Sequence, residues 1–359
     1  MLFELINSTL TKRPLNIKVF ECATEVDWQR CYDMALAQGG LAMNFPVMSS
    51  LPKELRPSFT LWSKWMVYTQ SVVELTHYKR EVVRKIGSWL AEDGLSTTIL
   101  KGFSLSDLYP NPDLREFSDI DIFSGGNYEA VNRCIAKHGV KVSGVDGHHA
   151  YLDVDGISVE HHFAFSNTKV KNGLVGPEEA LQSLAVKCQQ PTNIQSINYP
   201  NPVFTALFVG WHAYEHFMQE KIQLHYVIDW ALALKQLNES QVEEVNSIKA
   251  NTKWGQFVDV LTAIAIHQLS LSKNWFPAKE LEFANRISAE QEQRVLNDIL
   301  NAPHTPKSKK SNWRRLNIAR RILKNGWKFN EYADIKASHQ LWREFVGHFS
   351  KKKSLTFNL

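Results

Sequence analysis

The chain has 359 residues, of which 44% are hydrophobic and 22% are charged. This composition is typical of a soluble globular protein with two or three domains, and no apolar run approaches the roughly 20 residues that a membrane span needs. The N-terminal segment 1–6 carries an acid at Glu4 and no basic leader, so we expect a cytoplasmic protein without a secretory signal. The four cysteines form no C-x-x-C pair, which predicts buried thiols rather than a zinc ribbon or a disulfide framework.

The net charge of +4 is distributed unevenly. Nine basic residues crowd one segment near the C-terminus: Lys307, Lys309, Lys310, Arg314, Arg315, Arg320, Arg321, Lys324 and Lys328. Such a surface attracts phosphates, but solvated helix faces have the same composition. A nucleic-acid partner therefore stays open without being favoured.

Helical patterns flank a short α+β unit, and four regions follow from them: a helical region 1–95, a core 96–166, a helical region 167–300 and a basic helical region 301–359. In the first region, residues 25–92 read as helical with a break at 46–57, and Ser58 is suited to cap the second part. Segment 301–311 reads as a linker. The later helices are predicted over 202–219, 224–237, 239–250, 255–271, 289–300, 313–324 and 337–348.

The core 96–166 mixes short strands with helical turns. Strands are predicted over 97–100, 119–123, 140–145, 149–154 and 157–165, with a helical turn near 104–109 and a helix over 127–138. The dipeptide Asp155-Gly156 is suited to a hairpin turn between the last two strands.

Within the core, Asp119-Ile120-Asp121-Ile122-Phe123 alternates acids with bulky apolar residues, so a strand there turns both carboxylates to one face. Adjacent acids repel, and a hard divalent cation with oxygen ligands is the usual solution. Glu160 is a third acid on a later strand, and His162 shares its face. Gly102, directly after the first strand, allows a triphosphate to approach the backbone. This layout suits metal-dependent nucleotidyl transfer with Mg²⁺ or Mn²⁺.

These residues resemble a known family, the uncharacterised nucleotidyltransferases found widely in bacteria, within the DNA polymerase β-like superfamily. A second segment, 224–230, resembles a helix motif of that family in which a basic residue often stands at the position of His225. The resemblance implies a polymerase β-like core between helical regions. It is carried by Lys101-Gly102, Tyr109-Pro110, Arg115, Asp119-Ile120-Asp121 and the Glu160-x-His162 pair.

The resemblance also implies roles for individual residues. Asp119, Asp121 and Glu160 would bind the metal and carry catalysis. Gly102 would flank a nucleoside triphosphate, which is the expected substrate. The other expected nucleotide-binding residues are Lys101, Ser104, Arg115 and His162. Phe103 directly follows the motif glycine, where family members usually carry serine or glycine, and this displacement weakens the role of Ser104. The acceptor hydroxyl is not specified by the sequence, and we favour a small molecule or a protein.

Three alternatives remain open. The first is an inactive nucleotide- or nucleic-acid-binding module that keeps the fold, with the basic segment as its working surface. His212, Glu215 and His216 fit H-x-x-E-H, the zinc signature of inverted metallopeptidases. The third is structural: Arg115 can pair with Asp113 or Glu116 instead of phosphate.

A separate group of histidines, His148, His149, His161 and His162, has the composition of a zinc cluster. The first two precede one strand and the last two alternate faces. The sequence therefore does not require the four to converge.

Overall fold

The computed structural model describes residues 1–145, 147–166, 176–187, 189–219, 221–301 and 325–333. Helices pack on both faces of a mixed sheet, so the predicted α+β class is confirmed. The Ser58 hydroxyl accepts a hydrogen bond from the Leu61 amide and caps the longest helix in these ranges, as predicted. The helices before the sheet are α1 Leu2–Thr11, α2 Glu25–Ala37, α3 Leu41–Ser49 and α4 Phe59–Glu92.

The strands in the described ranges are β1 Thr97–Ile99, β2 Ile120–Phe123, β3 Val142–Val145, β4 His149–Val154, β5 Ile157–His162, β6 Gln190–Pro191 and β7 Ile197–Tyr199. They form one sheet in the order β3-β4-β5-β2-β1-β7-β6. All five predicted strands are present, and all but β4 are shorter than predicted by one to three residues at one end. The last two strands were not predicted, because two or three residues are too few to show a period of two.

The sheet positions β2 at its centre. This strand pairs antiparallel with β1 and parallel with β5, and the second pairing sets Asp121 opposite Glu160. Strand β4 pairs antiparallel with β5 and sets His149 opposite His162. Residues opposite each other in register point to the same face, so the sheet itself gathers these polar side chains.

The later helices follow the prediction closely where they are long and amphipathic. Both ends of the helices predicted over 202–219 and 289–300 are confirmed. The helices predicted over 313–324 and 337–348 lie outside the described residues, as does most of the linker 301–311 and of the basic segment. The elements are α5 Lys101–Ser106, α6 Tyr128–Lys137, α7 Glu178–Ala185, α8 Pro202–Gln219, α9 Leu224–Lys235, α10 Glu239–Lys249, α11 Lys253–His267, α12 Ala278–Asn285, α13 Ala289–Leu300 and α14 Gly326–Tyr332.

Two hydrophobic cores lie on opposite sides of the sheet. One packs Ile120 and Ile122 against α4 and α6. The other joins Phe123 on the opposite sheet face to the N-terminal helices and to α8, α9 and α11. The helical regions before and after the sheet therefore share one core. Within the described ranges, no helix combines the length and hydropathy needed to cross a membrane.

Candidate functional site

An open pocket of about 820 Å³ lies on the α8 side of the central strands. Asp119, Asp121 and Glu160 all line it, and ligand atoms of Asp121 and Glu160 converge with His162, whereas Asp119 belongs to neither of the converging groups among the described residues. Asp121 and Glu160 meet because they are register partners in β2 and β5, while Asp119 directly precedes β2. Since Ile120 and Ile122 occupy the opposite face, the alternation that the sequence showed is what directs the two aspartates into the pocket.

Asp121 is the most buried of the three acids, with a side chain that is 0% exposed. Its Oδ1 atom lies 3.0 Å from Lys101 Nζ and 2.9 Å from His162 Nε2. Its Oδ2 atom is buried and has no hydrogen-bond partner among the described residues. Burial alone would raise the pKa of Asp121, but the Lys101 ammonium and the His162 hydrogen bond outweigh it and lower this pKa.

The other two acids have different surroundings. Burial, followed by repulsion from Asp121, raises the pKa of Asp119, and Lys101 only partly opposes this. Glu160 has a side chain that is 15% exposed, with Oε1 3.5 Å from His149 Nε2 and Oε2 3.9 Å from His162 Nε2. The pKa of Asp121 is therefore lowered and the pKa of Asp119 is raised, although the two residues belong to one short stretch of chain.

This donor set fits a divalent cation. One ligand atom from each of Asp121, Glu160 and His162 lies within 4.8 Å of the others, and the unpartnered Asp121 Oδ2 is a further oxygen donor. Carboxylate oxygens are the ligands that Mg²⁺ and Mn²⁺ prefer.

Lys101 reaches the acids because it follows β1. The Leu100 amide donates to the Asp121 carbonyl at 2.8 Å, which sets the next residue beside that aspartate. Lys101 Nζ also lies 3.4 Å from His212 Nε2. Burial disfavours the ammonium form, but the carboxylates of Asp121, Asp119 and Glu160 prevail and raise the pKa of Lys101. This lysine therefore neutralises the acid cluster.

Arg115 forms a buried ion pair with Asp229 of α9. Its Nη2 and Nε atoms lie 2.6 and 3.1 Å from the two Asp229 oxygens, and its Nη1 donates to the Gly102 carbonyl at 2.9 Å. The Tyr109 hydroxyl donates to the same carboxylate at 2.6 Å. The family motif residues around 109, 115 and 229 thus form one structural group that ties the sheet region to α9.

The alternative in which Arg115 pairs with Asp113 or Glu116 is wrong. Asp113 instead pairs with His77 and Arg80 of α4. Glu116 accepts hydrogen bonds from the Tyr68 hydroxyl and the Ala42 amide.

Gly102 and Ser104 lie on α5, and only Gly102 lines the pocket. A Cβ atom on Gly102 would stand 3.1 Å from the Phe117 Cβ, so close packing of α5 against Phe117 favours glycine at this position. The Ser104 hydroxyl donates to the Lys101 carbonyl at 3.2 Å, and this residue is not among those that line the described pocket.

Lys79 of α4 is a pocket residue that the sequence reasoning missed. It is 2% exposed, donates to the Phe117 carbonyl and lies 4.3 Å from the centre of the Phe117 ring. Burial lowers the pKa of Lys79 to about 8, against the raising effect of Asp119. Unlike Lys101 and Arg115, it has no carboxylate salt-bridge partner among the described residues. The sequence shows Lys79 only as a charged residue at helical spacing within a long helix. Because a solvated helix face has the same spacing, the sequence does not indicate that this lysine is buried.

The H-x-x-E-H residues of α8 line the same pocket: His212, Glu215 and His216. Within the described ranges, two groups of three side chains bring metal-ligand atoms within 4.8 Å of one another, and neither includes an α8 residue. The geometry therefore gives the peptidase motif no three-ligand site.

Three of the four clustered histidines do converge. Ligand nitrogens of His148, His149 and His162 lie within 4.8 Å of one another. His161 points to the other sheet face, where it contacts Asn132 and Ser124. The antiparallel β4–β5 pairing causes this convergence, and sequence alone did not fix that pairing.

Comparison with protein families gives the class of protein to which this fold and pocket belong. Residues 24–269 match the family described as "Uncharacterised nucleotidyltransferase". The match covers more than half of the chain and includes all three acids, so the chain belongs to this family of transferases, as the sequence motifs predicted. No curated protein and no solved structure matches the chain in the corresponding comparisons.

Proposed function

We propose that this chain transfers a nucleoside monophosphate from an NTP to an acceptor hydroxyl, in a polymerase β-like core with Mg²⁺ or Mn²⁺. The observation that carries the proposal is the gathering of Asp119, Asp121 and Glu160 at one pocket, with the buried Asp121 Oδ2 unpartnered among the described residues. Family membership supports transfer of a nucleotidyl group in general.

Asp119, Asp121 and Glu160 would hold the metal. When bound, a divalent cation neutralises phosphate oxygens and polarises the phosphoryl group under attack. The acceptor oxygen bonds to the α-phosphorus, the bond to the β-phosphate oxygen breaks, and pyrophosphate leaves. Glu160, whose side chain is partly exposed, would orient the acceptor hydroxyl and accept its proton.

Positive charge for the triphosphate would come from Lys79. Lys101 and Arg115, the phosphate contacts expected from the sequence, are each bonded to an aspartate. Lys79 is the pocket lysine whose described hydrogen bond goes only to a neutral carbonyl. Exchanging that carbonyl for a phosphate oxygen would give the ammonium a charged partner.

A second candidate function is metal-free nucleotide binding without turnover. The Lys101–Asp121 contact favours it, because an ammonium already satisfies one oxygen of the proposed metal set. The two functions differ in whether labelled nucleotide is transferred.

The test uses each of the four NTPs labelled on the α-phosphate, with Mg²⁺ and a cell extract as the source of acceptors. The proposal predicts covalent label on a small molecule or protein together with release of pyrophosphate, both lost in Glu160→Gln. NTP binding that needs no metal, without transfer of label from any NTP, would favour the second candidate.

A further inference from the structure

A group of three histidines lies beside the acid cluster and has no part in the proposed phosphoryl transfer. His149 and His162 are register partners on β4 and β5 and are 4% and 2% exposed, while His148 directly precedes β4 and is half-buried. Their ring centroids are separated by 4.3 Å for His148 and His149, 5.0 Å for His149 and His162, and 5.6 Å for His148 and His162. We propose that this His148–His149–His162 cluster is a transition-metal site that binds Zn²⁺.

The ligand chemistry separates this site from the proposed magnesium site. Imidazole nitrogen suits Zn²⁺, and three histidines with an open fourth position are an established zinc arrangement. Mg²⁺ prefers an octahedron of oxygens. The two groups of donor atoms share His162, and they differ in that the other two donors are imidazole nitrogens in one group and carboxylate oxygens in the other.

The orientation of His162 supports metal binding. Its Nδ1 atom lies 3.3 Å from the Ala164 carbonyl, and its Nε2 atom lies 2.9 Å from Asp121 Oδ1. Zinc binding at Nε2 would displace the proton that this atom shares with Asp121, and Nδ1–H would then donate to the Ala164 carbonyl, which is the usual way to hold a metal-binding histidine.

A second observation is independent of the histidines. Asp121 Oδ2 is buried beside His162 and has no hydrogen-bond partner among the described residues. A buried carboxylate oxygen without a partner of its own is costly, and the Lys101 ammonium is placed 3.0 Å from the other oxygen, Oδ1. Because His148 and His149 line the same pocket as the acids, a metal held there would add positive charge where the triphosphate is proposed to bind.

The test measures metal binding without any nucleotide, so its result does not depend on the proposed function. The untagged full chain is stripped with a chelator and dialysed against Zn²⁺ or Mg²⁺, and bound metal is counted by elemental mass spectrometry. We expect one Zn²⁺ per chain, retained in an excess of Mg²⁺, and at least a tenfold weaker zinc affinity in His148→Ala.

The matched control is His216→Ala, because His216 is also a half-buried histidine of this pocket and belongs to the competing α8 motif. It should keep the wild-type zinc affinity. Zinc lost in His216→Ala but kept in His148→Ala would overturn the proposal, as would a wild-type chain that binds less than one zinc. If His148→Ala does not fold, zinc affinity is measured in His149→Gln instead, where we expect the same loss. The zinc stoichiometry of the wild type tests the proposal without any variant.

Discussion

Two aspartates, Asp121 and Asp229, sit in buried ion pairs on the same pocket, and their surroundings differ in one respect. Both oxygens of Asp229 are occupied: Arg115 binds one with Nη2 and the other with Nε, and the Tyr109 hydroxyl adds a third contact. Asp121 bonds through Oδ1 only, and its Oδ2 has no donor among the described residues. A saturated carboxylate holds a fold together, whereas an unsaturated one is available to a ligand.

The cations that pair with the two aspartates also differ in how firmly they are held. The Arg115 guanidinium is fixed between Asp229 and the Gly102 carbonyl, and its planar geometry matches the carboxylate. The Lys101 ammonium is a point charge that stands among three acids and one imidazole. We therefore expect changes at Asp229 and Arg115 to affect stability, and changes at Asp121 to affect chemistry.

The largest effect is expected for Asp121→Asn, which removes a charge from the proposed metal set. A bound metal contributes several kcal/mol to stabilising the transition state, so label transfer from NTP should fall by about 10³-fold. The isosteric control is Asp33→Asn, at an exposed position on α2, which should transfer label at the wild-type rate. Equal rates of label transfer for Asp121→Asn and the wild type would refute the claim that Asp121 acts in the chemistry.

The structural side is tested by Arg115→Met. Removing one partner leaves Asp229 buried and uncompensated, which should lower the free energy of unfolding by about 3–5 kcal/mol. Denaturant unfolding measures this change. Arg84→Met, which breaks an exposed pair with Glu81, should cost about 0–1 kcal/mol. A similarly small cost for both variants would show that the Arg115–Asp229 pair is dispensable.

A smaller effect is expected for Lys79→Met. Loss of a single charged hydrogen bond to the triphosphate should raise the NTP dissociation constant by about tenfold, since such bonds contribute about 1.5–3 kcal/mol. Calorimetry with a non-hydrolysable NTP measures the constant. Lys85→Met on the same helix breaks an exposed pair with Asp155 and should leave it unchanged. A wild-type dissociation constant in Lys79→Met would remove this residue from the proposed phosphate contacts.

The smallest effect is a pH dependence. Asp119 and Arg115 are the charged groups that act on Lys79, and burial lowers the pKa of this lysine to about 8, so NTP affinity should decrease as pH rises through that value. Lys79→Arg, which stays charged, should flatten the profile. In the absence of NTP, the unfolded lysine keeps its proton up to its ordinary pKa of 10.5, so over this range the unfolded chain binds more protons and the free energy of unfolding should rise with pH. A profile identical in wild type and Lys79→Arg would contradict this assignment.

The sequence predicted what local pattern determines. The alternation around Asp121 and the acid at Glu160 defined the two strands and the face they share, and the predicted bounds of α8 are confirmed. The partner of Arg115 could not be predicted in this way, because Asp229 lies 114 residues further along the chain. Its local acids, Asp113 and Glu116, were plausible only by proximity.

Burial and strand order account for the other features that the sequence did not predict. Lys79 has a charged side chain in a long helix, and only the packing of α4 against the sheet region shows that it faces inward. The convergence of His148 and His149 with His162 requires the antiparallel pairing of β4 with β5, and β7 joins the sheet through a parallel contact with β1 from nearly 100 residues away. These are long-range contacts, which a local pattern does not encode.

The most direct test of the account is metal-dependent NTP binding by native mass spectrometry, in wild type and Asp119→Asn. The account predicts that the wild type retains an NTP only with Mg²⁺ or Mn²⁺ and that Asp119→Asn retains none. Because burial and the neighbouring Asp121 raise the pKa of Asp119, the neutral variant should unfold at the same denaturant concentration as the wild type or a higher one. NTP binding that needs no metal, or metal-dependent binding that survives in Asp119→Asn, would contradict the assignment of this acid cluster.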